Sequence, residues 1–106
     1  MSGFNKRKSE AEDRYKHDQE LEFKANARRN KLLGLWAAEL MGISGADADA
    51  YAKEVVVSDF DRPGDDDVRE KVEADLTAKG LEISDNRVRK EMDRLKEEAR
   101  AQVRAE

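Results

Sequence analysis

The chain has 106 residues, of which 43% are charged; its formal net charge is −4 and it contains no cysteine. That length supports one domain with a modest core. The missing cysteine excludes a disulfide framework and a thiolate metal site. The acidic balance argues against a nucleic-acid binder, which needs a clear positive field. The N-terminus has no apolar export signal, and no stretch approaches the roughly 18 uninterrupted apolar residues of a membrane helix. The chain reads as soluble and intracellular.

Residues 1–20, MSGFNKRKSEAEDRYKHDQE, balance five basic residues against five acidic ones and hold only three large apolar residues, Met1, Phe4 and Tyr15. Good helix formers dominate, but Phe4, Ala11 and Tyr15 make only a faint stripe. A helix this short is marginal in water by itself. The segment therefore reads as an arm, mobile or conditionally helical, that orders against a partner. Residues 21–106 read as the folded body, with 23 large apolar residues between Leu21 and Val103.

The first body helix shows the clearest periodicity. Leu21, Ala25, Arg28, Leu32, Leu35 and Glu39 follow four-three spacing, widened by Trp36 and Leu40. Gly34 inside it costs about 1 kcal/mol against Ala, which points to close approach of another helix there. Gly42 suits a left-handed stop. Ser44 is placed as the next N-cap, with Asp47 in capping-box register. The second helix runs to about Phe60, with Ala48, Tyr51, Ala52 and Val55 on one face and Val56 and Phe60 extending it.

The stretch DRPGDDD breaks the chain, because Pro63 disfavours a helical residue before it. Asp65 then caps a third helix with Val68, Val72 and Leu76 in one stripe. Gly80 ends it, and Leu81 is placed to pack back on Leu76. The last helix starts at Ser84, with Ile83 and Val88 set for a hydrophobic staple. Val88, Met92, Leu95, Ala99 and Val103 form its stripe. No strand is convincing, so the fold class is all-α, a four-helix bundle carrying an N-terminal arm.

Chemistry is sparse. Asp59, Asp61, Gly64, Asp65, Asp67 and Glu70 mimic calcium-loop spacing, but Pro63 and Asp66 occupy positions that such a loop needs otherwise. Acids in the first turn of a helix explain them better. One histidine, His17, does not make a zinc site or a triad. Neither a nucleophile elbow nor a phosphate loop is present, so no catalytic, metal or cofactor site is expected. Lys24, Arg28, Arg29 and Lys31 form a basic patch. It reads as a charged face snorkelling over the bundle, as a contact for an acidic partner, or as a contact for a nucleotide or RNA phosphate.

Phe23-Lys24-Ala25, Arg28-Arg29-Asn30, Leu33-Gly34-Leu35-Trp36-Ala37-Ala38 and Ala50-Tyr51-Ala52, followed by GDDDVREKV and KGLEISD, resemble the zeta subunit family of alphaproteobacterial F-type ATP synthases. The resemblance runs from Leu21 nearly to the end. It implies a non-enzymatic inhibitor of ATP hydrolysis, cytoplasmic and peripherally associated with the inner-membrane synthase, and monomeric when free. The N-terminal arm would become helical in a catalytic interface between alpha and beta subunits, and the bundle would contact the head and central stalk. Phe4, Arg7, Glu12, Arg14 and Tyr15 fit the family pattern of the arm. Asn5, Lys6 and Lys8 stand where that pattern has acids, and Ala11 where it has an aromatic. One buried aromatic is worth about 1 to 3 kcal/mol, roughly one or two powers of ten in affinity, so a weaker inhibitor is expected. The alternative is a helical adaptor or a nucleotide-responsive regulatory bundle.

Overall fold

The computed structural model describes residues 2–59 and 64–106, with side chains from Arg14 onward. Four helices follow in order: α1 (Ser2–Leu40), α2 (Gly45–Ser58), α3 (Asp66–Ala78) and α4 (Asp85–Ala105). The described residues thus form the expected all-α four-helix arrangement. α1 is the spine, packed along α2 on one side and α4 on the other, and α3 bridges all three.

The helix ends follow from local chemistry. After α1, Gly42 takes φ 75°, its N–H donates to the Glu39 carbonyl at 3.1 Å, and the Ile43 N–H donates to Ala38 at 2.8 Å. After α3, Gly80 takes φ 78°, with Gly80 N–H to Thr77 at 2.9 Å and Leu81 N–H to Leu76 at 3.0 Å. Both are Schellman stops, in which a left-handed glycine lets the last carbonyls find donors. Ser84 caps α4 by accepting the Arg87 N–H at 3.1 Å. Ser44 occupies the N-cap of α2 without a side-chain cap bond, so the capping box read around Asp47 does not form. α2 stops at Ser58, two residues before the expected Phe60, which lies outside the described residues.

The core gathers Leu33, Ala37 and Ala38 of α1, Ala48, Tyr51 and Val55 of α2, Val68, Val72 and Leu76 of α3, and Val88, Met92 and Leu95 of α4. The stripes read for α3 and α4 are those buried, as are Ala48, Tyr51, Ala52 and Val55 of α2; Val56, read as extending that face, is half-buried. The stripe read for α1 is rotated. Leu21, Arg28, Leu32 and Leu35 are only half-buried and Glu39 is exposed. The buried rows are Ala25, Arg29, Leu33, Ala37 and, beside them, Asn30, Gly34, Ala38. Large side chains dominate a periodicity count, but small ones line the closest contact.

Gly34 shows why. A Cβ on Gly34 would lie 2.7 Å from the Ala52 Cα and 3.2 Å from Val55 Cγ2. The α1 backbone rests directly on α2, the close approach that the glycine suggested. In an unhindered helix, Gly34→Ala stabilises by about 1 kcal/mol. Here the new methyl meets backbone, and overpacking of about 1 to 3 kcal/mol outweighs that gain. Urea denaturation should show Gly34→Ala less stable than the parent, and Gly34→Leu much less stable; a stabilised Gly34→Ala would refute the tight crossing.

Candidate functional site

α1 crosses the boundary between residues 20 and 21 as unbroken helix. Burial sets in over the following turn. Arg14 through Glu20 are all exposed, Leu21 is half-buried and Ala25 is buried. The C-terminal end of α4 runs antiparallel to α1, and Arg100, Val103 and Arg104 line a cleft with Asp18, Leu21, Glu22 and Ala25. Upstream of Asp18, α1 continues through residues 2–17, roughly 24 Å of helix at 1.5 Å per residue.

Two of the anchors expected on this segment have described side chains. Tyr15 is 66% exposed, and its hydroxyl accepts a hydrogen bond from the Gln19 amide at 2.9 Å. Arg14 is exposed beside it, as is His17. Phe4, Arg7 and Glu12 lie outside the residues whose side chains are described.

The base of this segment is tied to α4. Lys96 Nζ lies 2.9 Å from Glu22 Oε1, and Arg100 lies 3.2 Å from the same oxygen. Lys96 also donates to the Asn26 side chain. The hydrogen bond from Lys96 and then that from Arg100 hold the Glu22 carboxyl at about 2, against an ordinary 4.5. A carboxyl depressed in the folded state stabilises above its unfolded pKa and loses that contribution as pH falls toward the folded one. The clamp is therefore complete above about pH 4.5 and fades between 4.5 and 2. Because Glu22 is half-exposed, it contributes less than about 1 kcal/mol. An NMR titration should show hydrogen-exchange protection factors at the end of α4 falling as pH is lowered through that window, and Glu22→Gln should remove most of the dependence.

The basic patch divides on folding. Arg29 is 3% exposed; its Nε donates to Asn30 Oδ1 at 2.7 Å and its terminal nitrogen to Asp65 Oδ1 at 2.6 Å. Arg28 is half-buried, donating to Gln102 at 2.9 Å and pairing with Glu106. Lys24 and Lys31 are exposed. The four residues do not form one cationic surface: Arg29 is an internal tie, Arg28 a strut to α4, and only the two lysines project freely.

Asp65 sits at the N-cap of α3 in a helical conformation and makes no cap bond. Its carboxylate turns to Arg29 instead, and that bond holds its pKa below the usual value. A bond between two ionised groups, the guanidinium buried, outweighs one from the same carboxylate to a neutral backbone N–H. Removing Arg29 leaves a buried Asn30 oxygen unpaired, at about 1 to 3 kcal/mol, and loses side-chain packing as well. Arg29→Met should cost about 2 to 4 kcal/mol in chemical denaturation. Arg28→Met, at the partly exposed end of its pair, should cost less than about 1 kcal/mol.

The remaining polar contacts are structural. The Tyr51 hydroxyl donates to Asp75 at 2.8 Å, burial and that acid push its pKa upward, and Lys71 lies 5.5 Å over its ring. Among the described residues, no group of three or more His, Cys, Asp or Glu side chains is placed to hold a metal ion. Periodicity did not single out the exposed Phe23 (65%) or Val57 (58%). The signal available for them was their place beside the apolar stripes rather than on them.

A family model for ATPase inhibitor subunit zeta matches residues 1–102. The chain belongs to that family. The zeta match takes in the free end of α1 as well as the body, and so joins the two parts that composition separates. A solved solution NMR structure resembles this zeta-family chain with 47% sequence identity and a TM-score of 0.72, covering 80% of this chain and 96% of that one. No curated protein sequence matches significantly.

Proposed function

We propose that the chain inhibits ATP hydrolysis by an F-type ATP synthase, the free end of α1 entering a catalytic interface between an alpha and a beta subunit. The protein acts as a regulator and not as a catalyst. It binds as a monomer from the cytoplasmic side, and its body rests outside against the head and central stalk. No helix among the described residues is long and apolar enough to cross a membrane, which agrees with peripheral attachment.

One observation carries the reading: α1 runs unbroken from Ser2 to Leu40, and every side chain from Arg14 to Glu20 is exposed. A helix exposed from Arg14 to Glu20 suits a closing cleft between subunits. Tyr15 supplies an apolar ring with a polar tip, and Arg14 a guanidinium suited to carboxylates. Phe4, Arg7 and Glu12 lie upstream on the same segment and would extend the contact, while Ala11 fills little. Wedged into an interface that must open and close during turnover, the helix blocks rotation in the hydrolytic direction.

The test is ATP hydrolysis by the cognate synthase with and without the full chain. Tyr15→Ala should raise the concentration needed for half-inhibition by roughly tenfold to a hundredfold, the worth of one buried aromatic. Its unfolding curve should be unchanged, because Tyr15 is exposed in the free chain. Undiminished inhibition by a Phe4→Ala, Tyr15→Ala double variant would sink the insertion model, and no inhibition by the parent would sink the inhibitor reading itself.

A further inference from the structure

Two large apolar side chains of the body stand exposed beside each other's helix: Phe23 of α1 and Val57 of α2. They line two adjoining parts of the surface between α1 and α2. One part, a cleft of about 540 Å³, is lined by Ala52, Val56 and Val57 with Lys31, Lys53 and Asp49. The other is lined by Phe23, Ala27 and again Val56, with Lys24, Lys31 and the Arg28–Glu106 pair. Val56 and Lys31 line both, so the two parts adjoin. The floor is apolar and the rim is cationic, although the chain as a whole carries −4.

Three of the four rim cations are not used internally among the described residues. Lys24, Lys31 and Lys53 make no ion pair among the described residues, whereas Arg28, Arg29, Arg69, Lys71, Lys96 and Arg100 all do. Among the described residues, the lining charges are four cations, Lys24, Arg28, Lys31 and Lys53, against two acids, Asp49 and Glu106, a net of +2. An apolar floor with an unneutralised basic rim is the complement of an amphipathic helix that carries acids beside its apolar stripe.

We propose that this groove between α1 and α2 docks an acidic amphipathic helix of the protein partner, a second contact separate from the free end of α1. Val56, Val57 and Phe23 take the apolar stripe, and Lys24, Lys31 and Lys53 pair with its carboxylates. Phe23 lies eight residues beyond Tyr15 on α1, roughly 12 Å along the helix, so one partner can hold both. The proposal deepens the inhibitor reading and rests on it only for the identity of the partner.

The experiment places a photo-reactive p-benzoyl-phenylalanine at Val57 and, in a separate sample, at Tyr15 of the full chain bound to the purified cognate synthase. The Val57 probe should cross-link to a synthase peptide of net negative charge with apolar residues at helical spacing. No Val57 cross-link, or one to a basic peptide, a phospholipid, a nucleotide or a second copy of the chain, overturns the docking proposal. A Val57 cross-link without one at Tyr15 supports the groove and counts against insertion of the arm; the reverse result overturns the groove and leaves insertion standing. The combined Lys24→Glu, Lys31→Glu, Lys53→Glu variant, folded as judged by its circular dichroism, should bind the synthase about tenfold more weakly. Unchanged affinity would overturn the role of the rim.

Discussion

The body depends on α1 lying directly on α2 at Gly34 and Ala52. A missing side chain at that crossing lets two backbones meet, and the neighbouring large residues are displaced to either side. Leu33, Ala37 and Ala38 then enter the common core, while Leu32, Leu35, Trp36 and Leu40 pack around its edge. Close approach also carries Tyr51 and Val55 inward, where they meet the stripes of α3 and α4. A larger residue at position 34 would separate the helices and open voids among side chains that are otherwise close-packed.

Polar contacts then set how the other helices attach. Arg29 and Asn30 lie one turn before the crossing and are both buried. Such groups contribute little net stability once desolvation is counted, but a partner left unpaired is costly. They therefore act mainly by excluding wrong arrangements: the start of α3 must come to Arg29 through Asp65. Glu22 does the same for the end of α4 through Lys96 and Arg100. α1 is fastened at three heights, by an ion-pair clamp, a buried guanidinium and a backbone crossing.

That fastening bears on the proposed inhibition. The segment that would enter the synthase and the helix that organises the body are one continuous element. Wherever the free end is held, the direction of α1 determines where the body lies. The groove beside Phe23 is carried on the same helix, so a partner gripping the end meets the groove at a set distance and angle.

The sequence by itself determined the all-α class, four helices, two glycine stops, the helix start at Ser84, and most of the buried stripes of α2, α3 and α4. Those features follow from local geometry and from spacing that each helix shows alone. It also separated a hydrophilic leader from an apolar body, because burial needs apolar side chains and the leader has few. Tertiary structure decided which face of α1 is innermost, because Gly34, Ala37 and Ala38 matter through what they allow a neighbour to do. It also decided the fates of four neighbouring basic residues, burying Arg29, engaging Arg28 and leaving Lys24 and Lys31 outside. A charge in a sequence has no partner until folding brings one within reach, and Asp65 and Glu106 lie far along the chain from the arginines they meet.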